Sequence, residues 1–337
     1  MMINFAIVGA GAIAPVYAEA ITLHPEATLD AVCDKNPQTA AGFVKQYATS
    51  RFYTAYEDLL QDPSIDVVCI CTPSGLHADM AIKAIEAGKH VIVEKPLAMT
   101  LEDADRVIAA AKKCKVKATV AFQKRYNRPI LQMREKLENG SFGKMMHATT
   151  SVRWYRDQSY YNQDSWRGTA AMDGGALMNQ SIHNIDLLRW MMGPVRKVSG
   201  FTATRRHTME MEDVGVAILE FESGALGIIE GSTAIYPTNL EASLSLFGTK
   251  GTAIVGGKYI DELKSWHFLH EDNESQKEDS TFSTAQEGHY PIIEDMVQAI
   301  QNDKEPAISL QDGRNALEII LAIYESSKNG ESVKIKK

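Results

Sequence analysis

The sequence predicts a two-part protein: a doubly wound parallel sheet of α/β type in residues 1–123, then an α+β domain in residues 124–337 with an open, mostly antiparallel sheet packed on helices. Three observations support this. Short apolar runs alternate with helical patterns through the first part, and the turn after the first run is rich in glycine. From residue 196 onward, strand-like segments follow one another with no helix between them.

The composition fits a protein of two globular domains. The chain has 337 residues, of which 45% are hydrophobic, and a net charge of −8. At about 100–200 residues per domain this length suggests two domains, and the acidic balance argues against nucleic acid as a partner. The four cysteines show no metal-ligand spacing, and neither a signal peptide nor a membrane-spanning run is present. We therefore expect reduced thiols, a cytoplasmic location, no metal site and no membrane partner.

The strands predicted for the first domain are apolar runs without alternation, and helical patterns separate them. Such runs indicate strands that are covered on both faces, and therefore a parallel sheet. Thr100, with Asp103 three residues later, predicts the start of one helix, and Gly88 predicts the end of the helix before it. The predicted strands are 3–8, 28–33, 67–72, 90–94 and 116–122.

The second domain begins its regular structure with one strong helical pattern over 172–193, which ends at Gly193-Pro194. Turn signals such as "FESGALG" and "GTKGT" separate the strand-like segments that follow. The polar stretch 271–288 predicts a loop, and helical patterns over 290–302 and 312–328 close the chain. The predicted strands are 196–206, 214–221, 225–233, 240–247 and 252–256.

The glycine turn "AIVGAGAIAPV" carries Gly9-x-Gly11-x-x-Ala14, with Ala12 and Ile13 inside the motif. Two glycines allow a tight turn and close approach of the backbone to a pyrophosphate, and a small third residue lets the helix pack on the strand. The helix N-terminus then faces the phosphate charge. Since the motif follows a strand and opens a helix, it predicts dinucleotide binding in a Rossmann domain, although a glycine turn without a ligand is the alternative.

Asp34 ends the second strand, close to the spacing of about 20 residues at which a carboxylate binds the adenosine ribose. A carboxylate there repels a 2′-phosphate and favours NAD. The adjacent Lys35 could offset that repulsion, so NADP stays possible. Asp34 could alternatively serve only to cap the helix that follows.

"VIVEKPLAM" places Glu94, Lys95 and Pro96 at the carboxyl end of a buried strand. Ligands of doubly wound sheets bind at that edge, where the glycine loop and Thr72-Pro73 also end their strands. Lys95 could therefore donate a hydrogen bond to a substrate hydroxyl or stabilise the developing alkoxide. The alternative is a solvated lysine paired with Glu94.

Asn179, His183 and Asp186 are spaced i, i+4 and i+7 on the long helix, so they should share a face. A histidine can exchange protons near neutral pH, and a carboxylate could fix its tautomer. Spacing alone favours an ordinary core or surface histidine with no part in chemistry.

Together "AIVGAGAIA", "CTPSGLHADMAIKAIEAGKHVIVEKPLAMT" and "DSWRGTAAMDGGALMNQSIHNIDLLRWMMG" resemble the glucose–fructose oxidoreductase / inositol dehydrogenase / rhizopine catabolism (Gfo/Idh/MocA) family over essentially the whole chain. The resemblance implies hydride transfer between NAD(P) and a carbinol of a sugar, polyol, inositol or nucleotide sugar. It also implies a homodimer or homotetramer formed through the C-terminal sheet. Relatives that oxidise a sugar transiently, without net redox, and non-catalytic nucleotide-sensing relatives are the alternatives.

The same resemblance implies roles for particular residues. Lys95 and His183 would be catalytic. Substrate contacts would come from Asn179, Arg125, Arg167 and Asp186, and the cofactor would be lined by Thr72, Pro73, Ser74, His77, Glu94, Lys95, Pro96, Gln123, Trp166 and Arg167.

Three positions depart from the pattern of many members, which carry Asp at Asn179, Gly at Ser181 and Asn at Ser74. An asparagine cannot act as a base, so the proton relay falls on His183 with Lys95, and Ser74 keeps one hydrogen-bond donor. The change at 179 argues against an inositol dehydrogenase and is reminiscent of members acting on nucleotide-linked or other modified sugars. The substrate itself is not fixed; candidates for setting it are Arg153, Tyr155, Arg156, Tyr236 and His289.

Overall fold

A computed structural model describes residues 1–269 and 285–335. They form two compact units, one of residues 1–123 with 285–314 and the other of residues 124–269 with 315–335. None of the helices in the described ranges is long and apolar enough to cross a membrane.

The first unit is built on a six-stranded parallel sheet with the order β3-β2-β1-β4-β5-β6. The predicted doubly wound sheet is confirmed. All residues of β4 are buried, as are the last three of β5, which is why these runs show no alternation. The strands are β1 (Ile3–Val8), β2 (Ala27–Cys33), β3 (Arg51–Tyr53), β4 (Val67–Ile70), β5 (His90–Val93) and β6 (Ala118–Val120).

Helices connect these strands, and local chemistry fixes where several of them start. The Asn36 side chain accepts hydrogen bonds from the N–H groups of Gln38 and Thr39, and Thr100 accepts one from Asp103, as predicted. The helices are α1 (Ala14–Leu23), α2 (Pro37–Tyr47), α3 (Tyr56–Leu60), α4 (His77–Glu86) and α5 (Leu101–Cys114).

The second unit is built on an eight-stranded sheet with the order β13-β12-β11-β7-β10-β9-β8-β14, and β10 with β7 is its one parallel pair among the described strands. The mostly antiparallel sheet is confirmed. Its strands are β7 (Met145–Arg153), β8 (Val195–Ala203), β9 (Val214–Phe221), β10 (Leu226–Ser232), β11 (Glu241–Gly248), β12 (Gly251–Gly256), β13 (Glu262–Phe268) and β14 (Val333–Lys334). Helices of this unit are α6 (Arg128–Glu138), α7 (Gln158–Asn162) and α8 (Ile182–Met192).

The two faces of this sheet differ. On one face, Gly215 and Gly231 leave room for Leu177, whose side chain would collide with a Cβ at either position. On the other, large apolar side chains of three adjacent strands are exposed, which is unusual for a face that meets only water. We call these the apolar sheet face: Phe201, Val216, Ile218, Leu226 and Ile228.

The helix predicted over 172–193 is interrupted. Residues 172–175 are not helical, Ala176–Ser181 is a π-helix, and α8 begins only at Ile182. Gly174 has a φ of +76°, and a Cβ on Gly175 would lie 2.0 Å from Glu212 Oε2. The chain therefore turns sharply at the glycine pair because a side chain distant in sequence occupies the adjacent space.

The C-terminal segments do not all belong to the second unit. Helix α9 (Ala285–Gln301) lies in the first unit, where His289 packs edge-on against Tyr17 and Glu294 lies 2.8 Å from His24 Nε2. The described residues of 124–337 are thus divided between the two compact units, because α9 packs on α1. Of the predicted loop 271–288, residues 271–284 lie outside the described residues and 285–288 are helical. Helix α10 (Leu310–Asn329) follows.

Candidate active site

The glycine loop after β1 requires its first glycine. Gly9 has a φ of +93°, and a Cβ there would lie 2.7 Å from the carbonyl oxygen of Cys71 on the neighbouring chain segment. Its N–H donates to the carbonyl oxygen of Cys33. Gly11 differs, since a Cβ built there meets no atom within 4 Å. The space beside Gly11 is open to a ligand.

Helix α1 begins beside that space, and the N–H groups of Ala14 and Val16 donate to the carbonyl oxygens of Gly11 and Ile13. It starts at Ala14 with Pro15 in its first turn, carries no acidic residue there, and the residue before it, Ile13, makes no side-chain cap. An uncapped N-terminus of a ten-residue helix favours an anion. Ala12 and Ile13 form the turn that leads into it, as the motif predicts.

Asp34 braces the glycine loop. Its Oδ2 accepts a hydrogen bond from Ala10 N at 2.9 Å, and its Oδ1 accepts one from Asn36 N at 2.9 Å. The cap of α2 is the Asn36 side chain, so the alternative role of Asp34 as the cap of that helix is wrong. Lys35 is exposed.

Glu94 anchors the end of β5. It is buried, its Oε1 accepts a hydrogen bond from Tyr17 OH at 2.9 Å, and its Oε2 accepts one from the backbone N–H of Lys95 at 3.1 Å. His289 Nε2 lies 3.4 Å from the same Oε1. The peptide bond between Lys95 and Pro96 is cis, and the Lys95 side chain is half-buried. The carboxylate thus fixes the backbone that carries the lysine.

His77 joins the two strand-end loops. Its Nε2 lies 2.8 Å from the carbonyl oxygen of Thr72 and its Nδ1 lies 2.7 Å from that of Pro96. Ser74 is buried beside it and opens a short 3₁₀ turn after Pro73. Through these contacts His77 connects the two loops and stabilises them, and its predicted contact with the cofactor stays a prediction.

Two buried oxygens of this unit fit an absent ligand. Thr72 Oγ1 and Gln123 Oε1 are both buried and have no hydrogen-bond partner within the described part of the chain. Buried polar atoms normally have a partner. Together with the open space at Gly11, they fit a polar dinucleotide along the strand ends.

In the second unit, Asn179 is held by its neighbours in the π-helix. Its Nδ2 donates to Asp173 Oδ1, and its Oδ1 accepts from Gln180 Nε2. Asp173 is itself fixed by Gly168 N, which donates to its Oδ2 at 2.7 Å. His183 follows in the first turn of α8 and is buried. Turns of π-helix are frequent at functional sites.

Arg125 and Asp186 form a buried ion pair. The guanidinium donates to both carboxylate oxygens, at 2.7 and 2.5 Å, and the two side chains are 5% and 1% exposed. Trp190 packs 4.9 Å from the same guanidinium. This pairing fixes α8 in place, and the predicted substrate contacts of both residues stay predictions.

Trp166 and Arg167 lie in the loop after α7. The Arg167 guanidinium stacks on the rings of Trp166 and Tyr160, at 4.6 and 4.5 Å, and its Nε donates to Asp164 Oδ2 at 3.3 Å. Their contact with cofactor or substrate remains a prediction.

Sequence reasoning missed Glu212, which caps the π-helix. Its Oε1 accepts hydrogen bonds from Leu177 N at 2.8 Å and Tyr324 OH at 3.0 Å, and its carbonyl oxygen accepts from Ala176 N. Burial raises the pKa of Glu212 to about 7. The only signal in the sequence is an acidic pair, Glu212-Asp213, immediately before a strand-like run.

The five residues predicted to set specificity do not all lie in one unit. Arg153 forms ion pairs with Glu230 at 2.7 Å and Glu241 at 3.2 Å on the sheet, and His289 belongs to the first unit. The other three, Tyr155, Arg156 and Tyr236, lie close to one another in the second unit.

Comparison with protein families gives two matches that together span most of the chain. Residues 3–122 match the oxidoreductase family with an NAD-binding Rossmann fold, and residues 134–335 match the C-terminal alpha/beta domain of the same family. The chain belongs to the Gfo/Idh/MocA oxidoreductase family. As a Gfo/Idh/MocA protein it carries an NAD-binding Rossmann domain, which agrees with the open space and orphaned oxygens at the strand ends.

Named relatives cover the full length. The myo-inositol 2-dehydrogenase of Thermotoga maritima is 26% identical, over 98% of this chain and 97% of its own. The WlbA dehydrogenase of Bordetella pertussis, solved with NADH and UDP-GlcNAcA, is 34% identical, covers 100% of this chain and 98% of its own, and has a TM-score of 0.93. Its Chromobacterium counterpart, in complex with the same two ligands, is also 34% identical, with a TM-score of 0.93, over 99% of this chain and 96% of its own.

Within the described residues, no group of three or more His, Cys, Asp and Glu side chains is arranged to hold a metal ion.

Proposed function

We propose that this Gfo/Idh/MocA protein oxidises a hydroxyl group of a nucleotide-linked sugar, with NAD as the hydride acceptor. The observation that carries the proposal is the full-length similarity, at 34% identity, to dehydrogenases solved with NADH and UDP-GlcNAcA. Asn179 supports it, because the resemblance connects asparagine at this position with members that act on nucleotide-linked or other modified sugars.

The first unit would hold the cofactor. The pyrophosphate would lie against Gly11 and the N-terminus of α1, and the adenosine ribose would bind Asp34. Thr72 Oγ1 and Gln123 Oε1 supply polar partners at the strand ends. When bound, NAD supplies the acceptor for the hydride, and the remaining steps belong to side chains of this chain.

Lys95 and His183 would handle the hydroxyl group. Lys95 donates a hydrogen bond to the substrate oxygen and stabilises the negative charge that develops on it. His183 takes the hydroxyl proton as the carbonyl forms, since an imidazole is a suitable base near neutral pH. The Asn179 amide is not a base and cannot accept the proton, so Asn179 would only orient the substrate. Asp173 and Gln180, which hold the Asn179 amide, would then set its direction.

The cofactor preference follows from Asp34. A carboxylate whose two oxygens already accept backbone N–H groups is fixed in position, and a 2′-phosphate would meet its charge directly. We therefore propose NAD over NADP. The exposed Lys35 beside it would soften this preference, and NADP would be used more slowly.

The test is the absorbance of reduced nicotinamide on mixing protein with NAD or NADP and a panel of inositols, aldoses, uronic acids and nucleotide sugars. Lys95→Met and His183→Ala should each lower turnover by about a hundredfold or more. Lys112→Met, an exposed lysine on α5, is the matched control and should retain activity.

Unchanged turnover in Lys95→Met would contradict the proposal. If no compound of the panel produces reduced nicotinamide, although the protein retains bound cofactor, transient oxidation without net redox would be favoured.

We further propose a homodimer formed through the apolar sheet face, in a reducing, cytoplasmic location. The exposed apolar side chains of β8, β9 and β10 form a contiguous patch that a second copy could cover. All four cysteines are free, which supports a reducing compartment.

A further inference from the structure

Two arginines and two tyrosines gather at one place in the second unit. The Arg206 guanidinium lies 5.3 Å from the Tyr155 ring and 5.8 Å from the Tyr236 ring, and the two rings meet edge to face at 6.3 Å. Arg156 follows Tyr155 in the chain and donates to its carbonyl oxygen at 2.7 Å. Tyr236 is 75% exposed. We call these four residues the arginine–tyrosine patch.

The two guanidinium groups carry uncompensated charge. Arg156 donates to neutral acceptors, namely Asn239 Oδ1 at 3.1 Å and Gln180 Oε1 at 3.0 Å as well as the Tyr155 carbonyl. In the described residues, neither Arg156 nor Arg206 forms a salt bridge. The chain as a whole carries a net charge of −8, so a pair of cations without counter-ions is a candidate site for an anion.

The loop that carries Arg206 is held in place by hydrogen bonds to a buried carboxylate. Asp213, fully buried, accepts hydrogen bonds from the backbone N–H groups of Arg205, Arg206 and His207. His207 Nε2 in turn lies 2.8 Å from the carbonyl oxygen of Arg156. One buried carboxylate thus connects both arginines of the patch, and a site ordered before binding loses less entropy when the ligand arrives.

The patch also adjoins the helix of the candidate active site. Arg156 donates to Gln180, and Gln180 donates to Asn179 through its Nε2. One side chain, Gln180, therefore separates Asn179 from the Arg156 guanidinium.

We propose that the arginine–tyrosine patch binds the nucleoside diphosphate portion of the substrate. Arg156 and Arg206 would bind the diphosphate, because guanidinium groups match phosphate oxygens in charge and geometry. The base would stack on the exposed Tyr236 ring, as bases stack on aromatic side chains elsewhere. This inference rests on the proposed function, since it assigns the sugar to Asn179 and His183.

Calorimetric titration tests the patch independently of turnover. The protein is first saturated with NAD, so that the dinucleotide site is closed, and is then titrated with UDP, uridine or inorganic pyrophosphate. UDP should bind more tightly than either of its halves. Arg206→Gln and Tyr236→Ala should each raise the Kd for UDP by about tenfold or more. Arg205→Gln removes the same charge from the same loop and should leave the Kd unchanged.

The outcomes separate the two proposals. Absence of UDP binding, or an equal loss in Arg205→Gln and Arg206→Gln, would overturn the patch as a site. Pyrophosphate binding as tightly as UDP, with Tyr236→Ala unchanged, would overturn the assignment of the base. Oxidation of free sugars without UDP binding would remove the patch and leave NAD-dependent oxidation standing. UDP binding without oxidation of any sugar would leave the patch standing and remove NAD-dependent oxidation.

Discussion

Replacing Glu212 by Gln should make the second unit more stable at alkaline pH. Glu212 is buried, and burial raises its pKa from the ordinary 4.5 to about 7. Its Oε1 accepts from Leu177 N and Tyr324 OH, and glutamine keeps an oxygen that can accept both bonds. Asp213 is the charged neighbour that adds to the shift, because its negative charge disfavours a second one nearby.

The magnitude follows from linkage. A carboxyl group whose pKa is raised by folding stabilises the fold fully below the unfolded pKa, and this contribution is lost as the pH rises through the folded pKa. At ~1.4 kcal/mol for each unit of pKa, ionising Glu212 in the folded protein costs about 3 kcal/mol. When the pH is raised from about 5 to about 9, the wild type should therefore lose about 2 to 3 kcal/mol of unfolding free energy relative to Glu212→Gln.

Urea unfolding followed by tryptophan fluorescence measures this directly. All four tryptophans lie in the unit that contains Glu212, so the signal reports on its unfolding. Glu135→Gln, on the exposed side of α6 in the same unit, is the control and should follow the wild type at every pH. If the Glu212→Gln and wild-type curves stay parallel across the range, the reasoning from burial is refuted.

Three further predictions concern the cofactor and the assembly. Gly9→Ala should destabilise the first unit by about 1–3 kcal/mol in urea unfolding, because the added Cβ meets Cys71 at a strained φ. Gly11→Ala should fold normally and raise the Kd for NAD about tenfold in a fluorescence titration; equal stability of the two variants would count against the loop geometry. Asp34→Asn should narrow the preference for NAD over NADP by about tenfold or more in steady-state kinetics, and an unchanged ratio would remove its assigned role. Ile218→Asp should convert a dimer into a monomer in sedimentation velocity, since it places a charge within the apolar sheet face, and an unchanged sedimentation coefficient would exclude that face as the interface.

Local patterns were sufficient for the parallel sheet and its glycine loop. Unbroken apolar runs identify strands covered on both faces, and Gly9 with Gly11 sits where such a run meets a helix. Strands β3, β7, β13 and β14 were not predicted. Strand β7 was missed because its residues are mixed: it reads "MMHATTSVR", with serine and threonine at positions that are buried within the sheet.

What the sequence did not reveal depends on residues far apart in the chain. The π-helix at Ala176–Ser181 arises because Glu212 occupies the space beside Gly175, a contact over 37 positions that no helical periodicity reports. Helix α9 shows a clear apolar pattern, but a pattern does not say which surface it packs on, and it packs on α1. Asp34 was expected to bind a ribose or cap α2, and its hydrogen bond to Ala10 could be seen only in the structure.

The most direct test of the central proposal is a single-turnover experiment. Protein loaded with NAD is mixed with a UDP-linked N-acetylhexosaminuronic acid, and reduced nicotinamide is recorded over time for the wild type, Lys95→Met and His183→Ala. We predict one equivalent of reduced nicotinamide per active site in the wild type and a rate lower by about a hundredfold or more in both variants. Formation at the wild-type rate in either variant, or none in the wild type with substrate bound, would contradict the assignment of this site.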